Sequence, residues 1–377
     1  MGEGKARSGP GRGLPFFLVM LSLGVPAFAS SLNIEDEVGS FLPEFRNAPV
    51  IAERPVFGPE GKKVAGLRLL AIPGRHLEMV YGECGTNRVP LLLGTGGRFL
   101  TDSTARAEDF ARRIIDTRFG DSGQIGQAIL IRGGPFSYLA RIDYSQKGKP
   151  LGNLLFDLST QRILVGNLQS KDQFGRNGPH EQGPQMEPQA PRKLKSLTSV
   201  PIYPLFFSDR ATCLAMILGY WAANGYPELM GMGGANKGKG GDPLREWIRG
   251  IDLIGRGCPE CQSVEKTVEV VSSWSGLPLA VQLIRGEAWK DGQPSFQMIQ
   301  RLIEHENQPF LLVDAAGVSP RYAVGIGYLV GGGFSFVACL LPGPQDLKSV
   351  WNPVFLNWEK DFQNLHFYRI SPAIRNG

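Results

Sequence analysis

Charge is scarce in this chain. Only 20% of its 377 residues are Asp, Glu, Lys or Arg, and 40 basic against 35 acidic side chains leave a formal net charge of +5. No basic cluster interleaves with aromatics, which removes the case for a nucleic-acid partner. Long apolar runs are missing as well. The longest, "LPFFLVMLSLGV" (Leu14 to Val25), covers about 12 residues, well short of the roughly 20 that a spanning helix needs. Cysteine is sparse and odd in number: Cys84, Cys213, Cys258, Cys261 and Cys339. Cys258 and Cys261, in "CPEC", have the spacing of zinc ligands, but the second such pair that a structural zinc needs is absent. A disulfide within or near that loop is the expectation instead, and at least one cysteine must stay unpaired or join another chain. The pairing of Cys84, Cys258, Cys261 and Cys339 is open. Nothing in the sequence asks for a cofactor.

The short apolar run has a use of its own. Lys5, Arg7 and Arg12 precede it and Ala27, Phe28 and Ala29 follow it, the three parts of a secretory signal peptide cut before Ser30. Residues 1–29 are therefore expected to be removed. The mature protein is expected to be secreted or periplasmic, with no transmembrane anchor left.

With 49 glycines and 28 prolines, long loops and at least one linker are expected. Residues 30–63 show no sustained period and read as an extended lead-in. From Val64, "VAGLRLLAI", "HLEMVYG" and "VPLLLG" are short strands. Ala107, Phe110, Ala111, Ile114 and Ile115 then form one apolar helical stripe, with Phe110, Ile114 and Ile115 expected to face a sheet. "QAILIR", "FSYLARIDY", "NLLFDL" and "RILVG" continue as an antiparallel meander. Residues 64–167 thus read as a separate small α+β module. Residues 168–199 are rich in Gln, Pro and Gly and poor in apolar side chains, the composition of a flexible linker.

Residues 200–373 read as a second domain. Its first helix is "ATCLAMILGYWAA", apolar on every face and hence buried, with Ser208 or Asp209 as N-cap and Asn224–Gly225–Pro227 as the stop. Helices follow at 243–253, 264–275 and "SFQMIQRLIEH". The strands "LPLAVQLI", "PFLLVD", "RYAVGIGYLV", "FSFVACLL" and "HFYRI" complete it.

Thr212, Ala215, Met216, Leu218, Gly219, Tyr220, Trp221, Gly225, Tyr226 and Pro227, with the strand Tyr322–Tyr328 and the preceding "QPFLLVD", resemble the papain-like cysteine peptidases of the bacteriocin-processing-peptidase type, in their exported stand-alone form. The resemblance implies an α+β fold: a papain-like domain, helical part first and antiparallel sheet after, behind a module like the pro-domains of streptopain-like peptidases. It also implies four catalytic positions. Aligned on Thr212, the nucleophilic Cys falls at Asp209 and the His at Arg321. The oxyanion-hole Gln falls near Leu205, and the orienting Asp or Asn falls near Ala338 to Leu340, where "VACLL" offers none.

A carboxylate cannot act as the thiol, nor a permanently protonated guanidinium as the base. The implied function is therefore an exported pseudopeptidase holding a peptide or protein ligand in a degenerate cleft. The alternative is an active cysteine endopeptidase with a relocated nucleophile, Cys213, and His305 or His366 as base. Asp209 and Arg321 are expected to face each other across a partly exposed cleft, with Asp209 capping the helix and ionised.

Overall fold

A computed structural model describes residues 42–373, apart from 85–86, 96, 165–191, 231–241, 258–262, 285–295, 315–319, 332, 344–352 and 362–364. Its first half runs β1 (Val50–Phe57), β2 (Lys63–Ile72), β3 (Arg75–Cys84), β4 (Asn87–Thr95), α1 (Phe99–Phe119), β5 (Gly123–Ile125), β6 (Ile129–Arg132), β7 (Tyr138–Gln146), β8 (Lys149–Asp157) and β9 (Arg162–Leu164). The second half runs β10 (Lys193–Ser196), α2 (Asp209–Ala223), α3 (Pro243–Gly257), α4 (Val264–Ser275), β11 (Leu279–Leu283), α5 (Phe296–Glu304), β12 (Phe310–Asp314), β13 (Arg321–Gly331), β14 (Phe334–Leu340), β15 (Val354–Asn357), α6 (Trp358–Asp361) and β16 (Leu365–Pro372). No helix among the described residues is long and apolar enough to cross a membrane.

All these strands belong to one 16-stranded sheet, ordered β11-β16-β12-β13-β14-β15-β4-β3-β2-β1-β6-β7-β8-β9, with β10 beside β13 and β5 beside β7. The described pairings are antiparallel except β1 with β6. This overturns the papain-like α+β layout. The helices do not form a part of their own followed by a sheet; they cover both faces of a sheet that passes through both halves of the chain.

β15 makes the joint. All four of its residues are buried, and it pairs with β14 on one side and with β4 on the other, Val354 opposite Gly94 and Leu356 opposite Leu92. Four residues carry too little periodicity to be read as a strand, so nothing in the sequence warns that the halves are stitched together.

The strand faces alternate as a pleated sheet requires. Leu311 and Val313 of β12 enter one core with α2, α3, α4 and Leu70, Leu77 and Met79 of the first half. Phe310 and Leu312 enter the other, with Leu100, Ala107 and Ala111 of α1 and Ile299 and Leu302 of α5. Each core therefore mixes residues from both sides of residues 168–199.

Three further expectations need correction. The lead-in contains β1, which pairs with β2 and β6. The linker ends in β10, antiparallel to β13, where a Cβ on Gly327 would lie 2.3 Å from the Lys195 carbonyl oxygen. The rest of the expected linker, up to residue 191, lies outside the described residues, as do the signal peptide and the "CPEC" cysteines. On α1 the buried stripe is Ala107, Ala111 and Ile115, while Phe110 stays 47% exposed. Ile115 is buried as expected, and the Phe110 ring still meets that of Phe156 in β8 edge-on, with centroids 5.8 Å apart. Buried Glu78 of β3 accepts from Leu100 N and Thr101 N, each at 2.8 Å, supplying the cap that Arg98 does not.

Asn357, fully buried at the end of β15, donates from Nδ2 to Pro90 O at 2.8 Å and accepts at Oδ1 from Glu359 N at 3.0 Å. Asn357→Leu strands both partners, and a loss of about 1–3 kcal/mol is expected in urea unfolding. An unchanged midpoint would mean that the β15–β4 joint does not depend on this side chain.

Candidate functional site

The start of α2 is set by Ser208, whose backbone is extended (φ −129, ψ 153) and whose Oγ accepts from Ala211 N at 3.3 Å. Ser208 Oγ also donates to Asp252 Oδ1 of α3, 2.5 Å away. Ser208 is thus the cap, and Asp209 is the first residue of the helix proper. This corrects the expectation that Asp209 caps the helix: with that role taken, its carboxylate is left to point elsewhere.

It points at Arg321. This residue opens β13 directly opposite Asp314 of β12. Its Nη1 donates to Asp209 Oδ2 at 2.8 Å, so the pair expected 112 residues apart in sequence does meet. The surroundings differ from expectation. The arginine and aspartate side chains are only 4% and 11% exposed, a buried contact rather than one in an open cleft.

Arg321 has a second carboxylate partner that the sequence reading missed. Its Nη2 forms an ion pair with Oδ2 of Asp157, a 5% exposed side chain at the end of β8. Asp157 Oδ1 accepts from Ser159 N at 2.9 Å and Thr160 N at 3.1 Å, pinning the β8–β9 turn. The signal was available in "DLST", where an Asp two and three residues ahead of Ser159 and Thr160 suits an Asx-type turn and so places a carboxylate at a strand end. Nearby, Asp314 Oδ2 accepts from Phe136 N at 3.2 Å. The Gly133–Ser137 loop reaches it because Gly134 has no side chain; a Cβ there would lie 2.5 Å from Asp314 Oδ2.

The electrostatics follow from this shared cation. One guanidinium faces two buried carboxylates, so its charge is already offset by Asp157. Burial then dominates at Asp209 and pushes its carboxyl up to about 7, against smaller opposing effects of a backbone N–H and of Arg162. Burial likewise pulls the Arg321 guanidinium down to about 10, still protonated at neutral pH. The expectation of an ionised Asp209 is therefore corrected. Cap and dipole do not outweigh burial, and the site contains one group that titrates near neutrality.

A small cavity borders this pair. It is lined by Asp209, Arg321 and Tyr322 together with Phe99, Phe136 and Ser159, so residues of the first half roof it. Leu205, the expected oxyanion position, donates its N–H at 2.6 Å to the carbonyl oxygen of Gly343, one of the lining residues. Ala338, Cys339 and Leu340 are buried in β14.

Cys213 is fully buried and free, with its thiol raised well above the usual range by burial first and by Asp209 and Cys339 next. His305 and His366 are both exposed. The arrangement gives Cys213 neither the lowered thiol pKa nor the accessibility that a nucleophile requires. Cys339 is also free and buried.

No protein-family model matches the chain, and no curated protein does. The likeness to cysteine peptidases accordingly rests on the residues of α2, β12 and β13 themselves.

Asp209 generates a pH dependence whose sign is fixed. Its carboxyl is raised in the folded state, so between about pH 4 and about pH 7 the folded chain keeps a proton that the unfolded chain has released. Stability from this group is greatest on the acid side and declines as pH rises to about 7, by up to about 4 kcal/mol. In Asp209→Asn that slope should vanish from urea-unfolding free energies taken across the window. An identical slope in the variant would show that Asp209 is ionised throughout.

Proposed function

We propose that this chain is an exported protein that binds a peptide or protein segment without cleaving it, a non-catalytic relative of bacteriocin-processing-type cysteine peptidases. The observation that carries the reading is the buried Asp157–Arg321–Asp209 cluster. At the positions where the resemblance calls for a thiol and an imidazole, the chain has a carboxyl and a guanidinium bonded to each other, with Asp157 as the guanidinium's second partner. Acyl transfer needs an activated nucleophile, a base within hydrogen-bond reach and donors for an oxyanion. Here the carboxyl is engaged, the guanidinium stays protonated, and the Leu205 N–H is already bonded.

The choice of ligand class comes from the resemblance, since peptidases of this type take peptide chains. The cavity supports it with aromatic and charged walls suited to a peptide group: Phe99, Phe136 and Tyr322 beside Asp209 and Arg321. Export rests on the N-terminal segment.

The test is chemical and does not depend on the identity of the ligand. An epoxide thiol reagent should leave native protein unlabelled at Cys213 and label it after unfolding in urea. Peptides captured from a displayed random library by the folded chain should be recovered at full length. Stoichiometric labelling of native Cys213, or recovered peptides cut at a constant position, would restore the peptidase reading.

A further inference from the structure

Asp157 stands between two spaces. On one side it holds two residues that line the Asp209 cavity, Arg321 through its ion pair and Ser159 through the backbone N–H. On the other it forms part of the floor of an open groove between α1 and the β8–β9 turn, edged by Ser103, Arg106, Arg113 and Gln161. The carboxylate therefore borders a second, polar environment, in which Arg106 and Arg113 stand beside Asp109. Arg321 has no such choice: it is 4% exposed, and its Nε is buried without a partner.

We infer that the Asp157–Arg321–Asp209 contact is a proton-operated latch on the cavity, closed while Asp209 holds a proton and loosened when that proton leaves, Asp157 then turning toward the groove. With Asp209 neutral, Asp157 and Arg321 form a balanced one-to-one pair. With Asp209 ionised, two carboxylates compete for one guanidinium in a site nearly closed to water, an arrangement that low dielectric penalises. The competition is unequal. Asp209 sits on the first turn of α2 and borders the cavity, whereas Asp157 ends β8, opposite Leu139 and Arg162, with its side chain bordering the groove, so Asp157 is the one with a second place to turn.

The groups facing Asp209 leave it as the proton carrier. Arg321 and Tyr322 approach from β13, Asp157 from β8 and Arg162 from β9, while Arg210 and Cys213 belong to its own helix. Asp314 lies across from Arg321 on β12. Burial raises Tyr322 and Cys213 from values already above neutrality, so both stay protonated, and Arg321, lowered only to about 10, stays charged. Two backbone N–H groups and a guanidinium converge on Asp157, whereas Asp209 accepts only from Arg321 and a backbone N–H. The proton therefore goes to Asp209, whose carboxyl burial raises to about 7.

The inference rests on the cavity being the ligand site, since the latch decides when that site is open. Its test uses no ligand, so the two can fail separately. Amide hydrogen exchange, corrected for intrinsic rates, is followed in residues 157–162 from about pH 5 to about pH 9 in wild type, Asp209→Asn and Asp157→Asn. Asn at 157 keeps the acceptor for Ser159 and Thr160 but loses the charge on Arg321.

Wild-type protection of the turn is expected to fall about tenfold as pH rises through about 7, with β12 unchanged. Asp209→Asn should remain protected throughout, and Asp157→Asn weakly protected throughout. Protection in wild type that ignores pH, or a fall in Asp209→Asn matching that of wild type, would overturn the latch. Should Asp157→Asn fail to fold, the comparison of wild type with Asp209→Asn decides alone. A chain that binds no peptide but shows the pH-dependent turn would overturn the binding function and leave the latch intact.

Discussion

One guanidinium serving two carboxylates is the constraint on which this site depends. Arg321 belongs to β13, Asp209 to α2 and Asp157 to β8, three segments far apart in sequence. Taking such a group out of water is expensive, and the mutual attraction repays that cost only if the geometry is kept. Its contribution to net stability is accordingly modest, but losing Arg321 or Asp157 leaves charge buried without its main partner. The cluster therefore acts on position. It fixes the first turn of α2 against the start of β13 and holds the β8–β9 turn over both. Ser208 makes this possible by relieving Asp209 of capping, and burial raises the Asp209 carboxyl to about 7 even beside an arginine.

The residues that carry the peptidase likeness are packing residues, and their contacts say what the motif encodes. Tyr220 OH donates to Asn307 O, and Trp221 Nε1 to Ile370 O at 2.9 Å, tying the end of α2 to the loop before β12 and to β16. Gly219 lets Tyr203 OH approach to within 2.5 Å of where a Cβ would be, and Gly327 gives β10 room beside β13. A motif of this kind fixes how a buried helix sits on a sheet. It is silent about chemistry, which depends on residues at the helix start and the strand start. That is why a likeness in these packing residues predicts neither the papain-like layout nor a catalytic pair.

Much of the element content was legible. α2 could be read from its all-apolar length and from Ser208 and Gly225 at its ends, and "RYAVGIGYLV" and "FSFVACLL" announced buried strands. The pairing of Asp209 with Arg321 also followed from the register of the motif. The architecture did not. "PFLLVD" is continuously apolar, which fits a strand buried on both faces, but the pattern does not say which elements cover them. β15 is too short to show a period, β1 contains Pro55, and β10 is a Lys-Leu-Lys-Ser stretch with no apolar alternation to distinguish it from a linker. Asp157 was overlooked because its partner lies in the other half of the chain, and strand patterning carries no information about such pairs.

The continuous sheet also limits what can move at the site. A module that swings away whole, in the manner of a pro-domain, would have to break the β15–β4 ladder and expose Leu92, Val354 and Leu356, all at most 1% exposed. It would also break the buried Arg132–Asp361 pair, 2.6 Å between β6 and α6, with Tyr138 bonded to the same arginine. At roughly 25 cal/mol per Å² of apolar surface, separating two shared cores is comparable to unfolding the chain. Access to the cavity must therefore come from smaller elements: the β8–β9 turn that carries Asp157 and Ser159, and the Gly133–Ser137 loop that carries Phe136. Both are short, both are tied to a charged side chain of the second half, and neither contributes to the joint. Opening of the cavity is consequently a local event governed by side-chain charge, while the sheet stays whole.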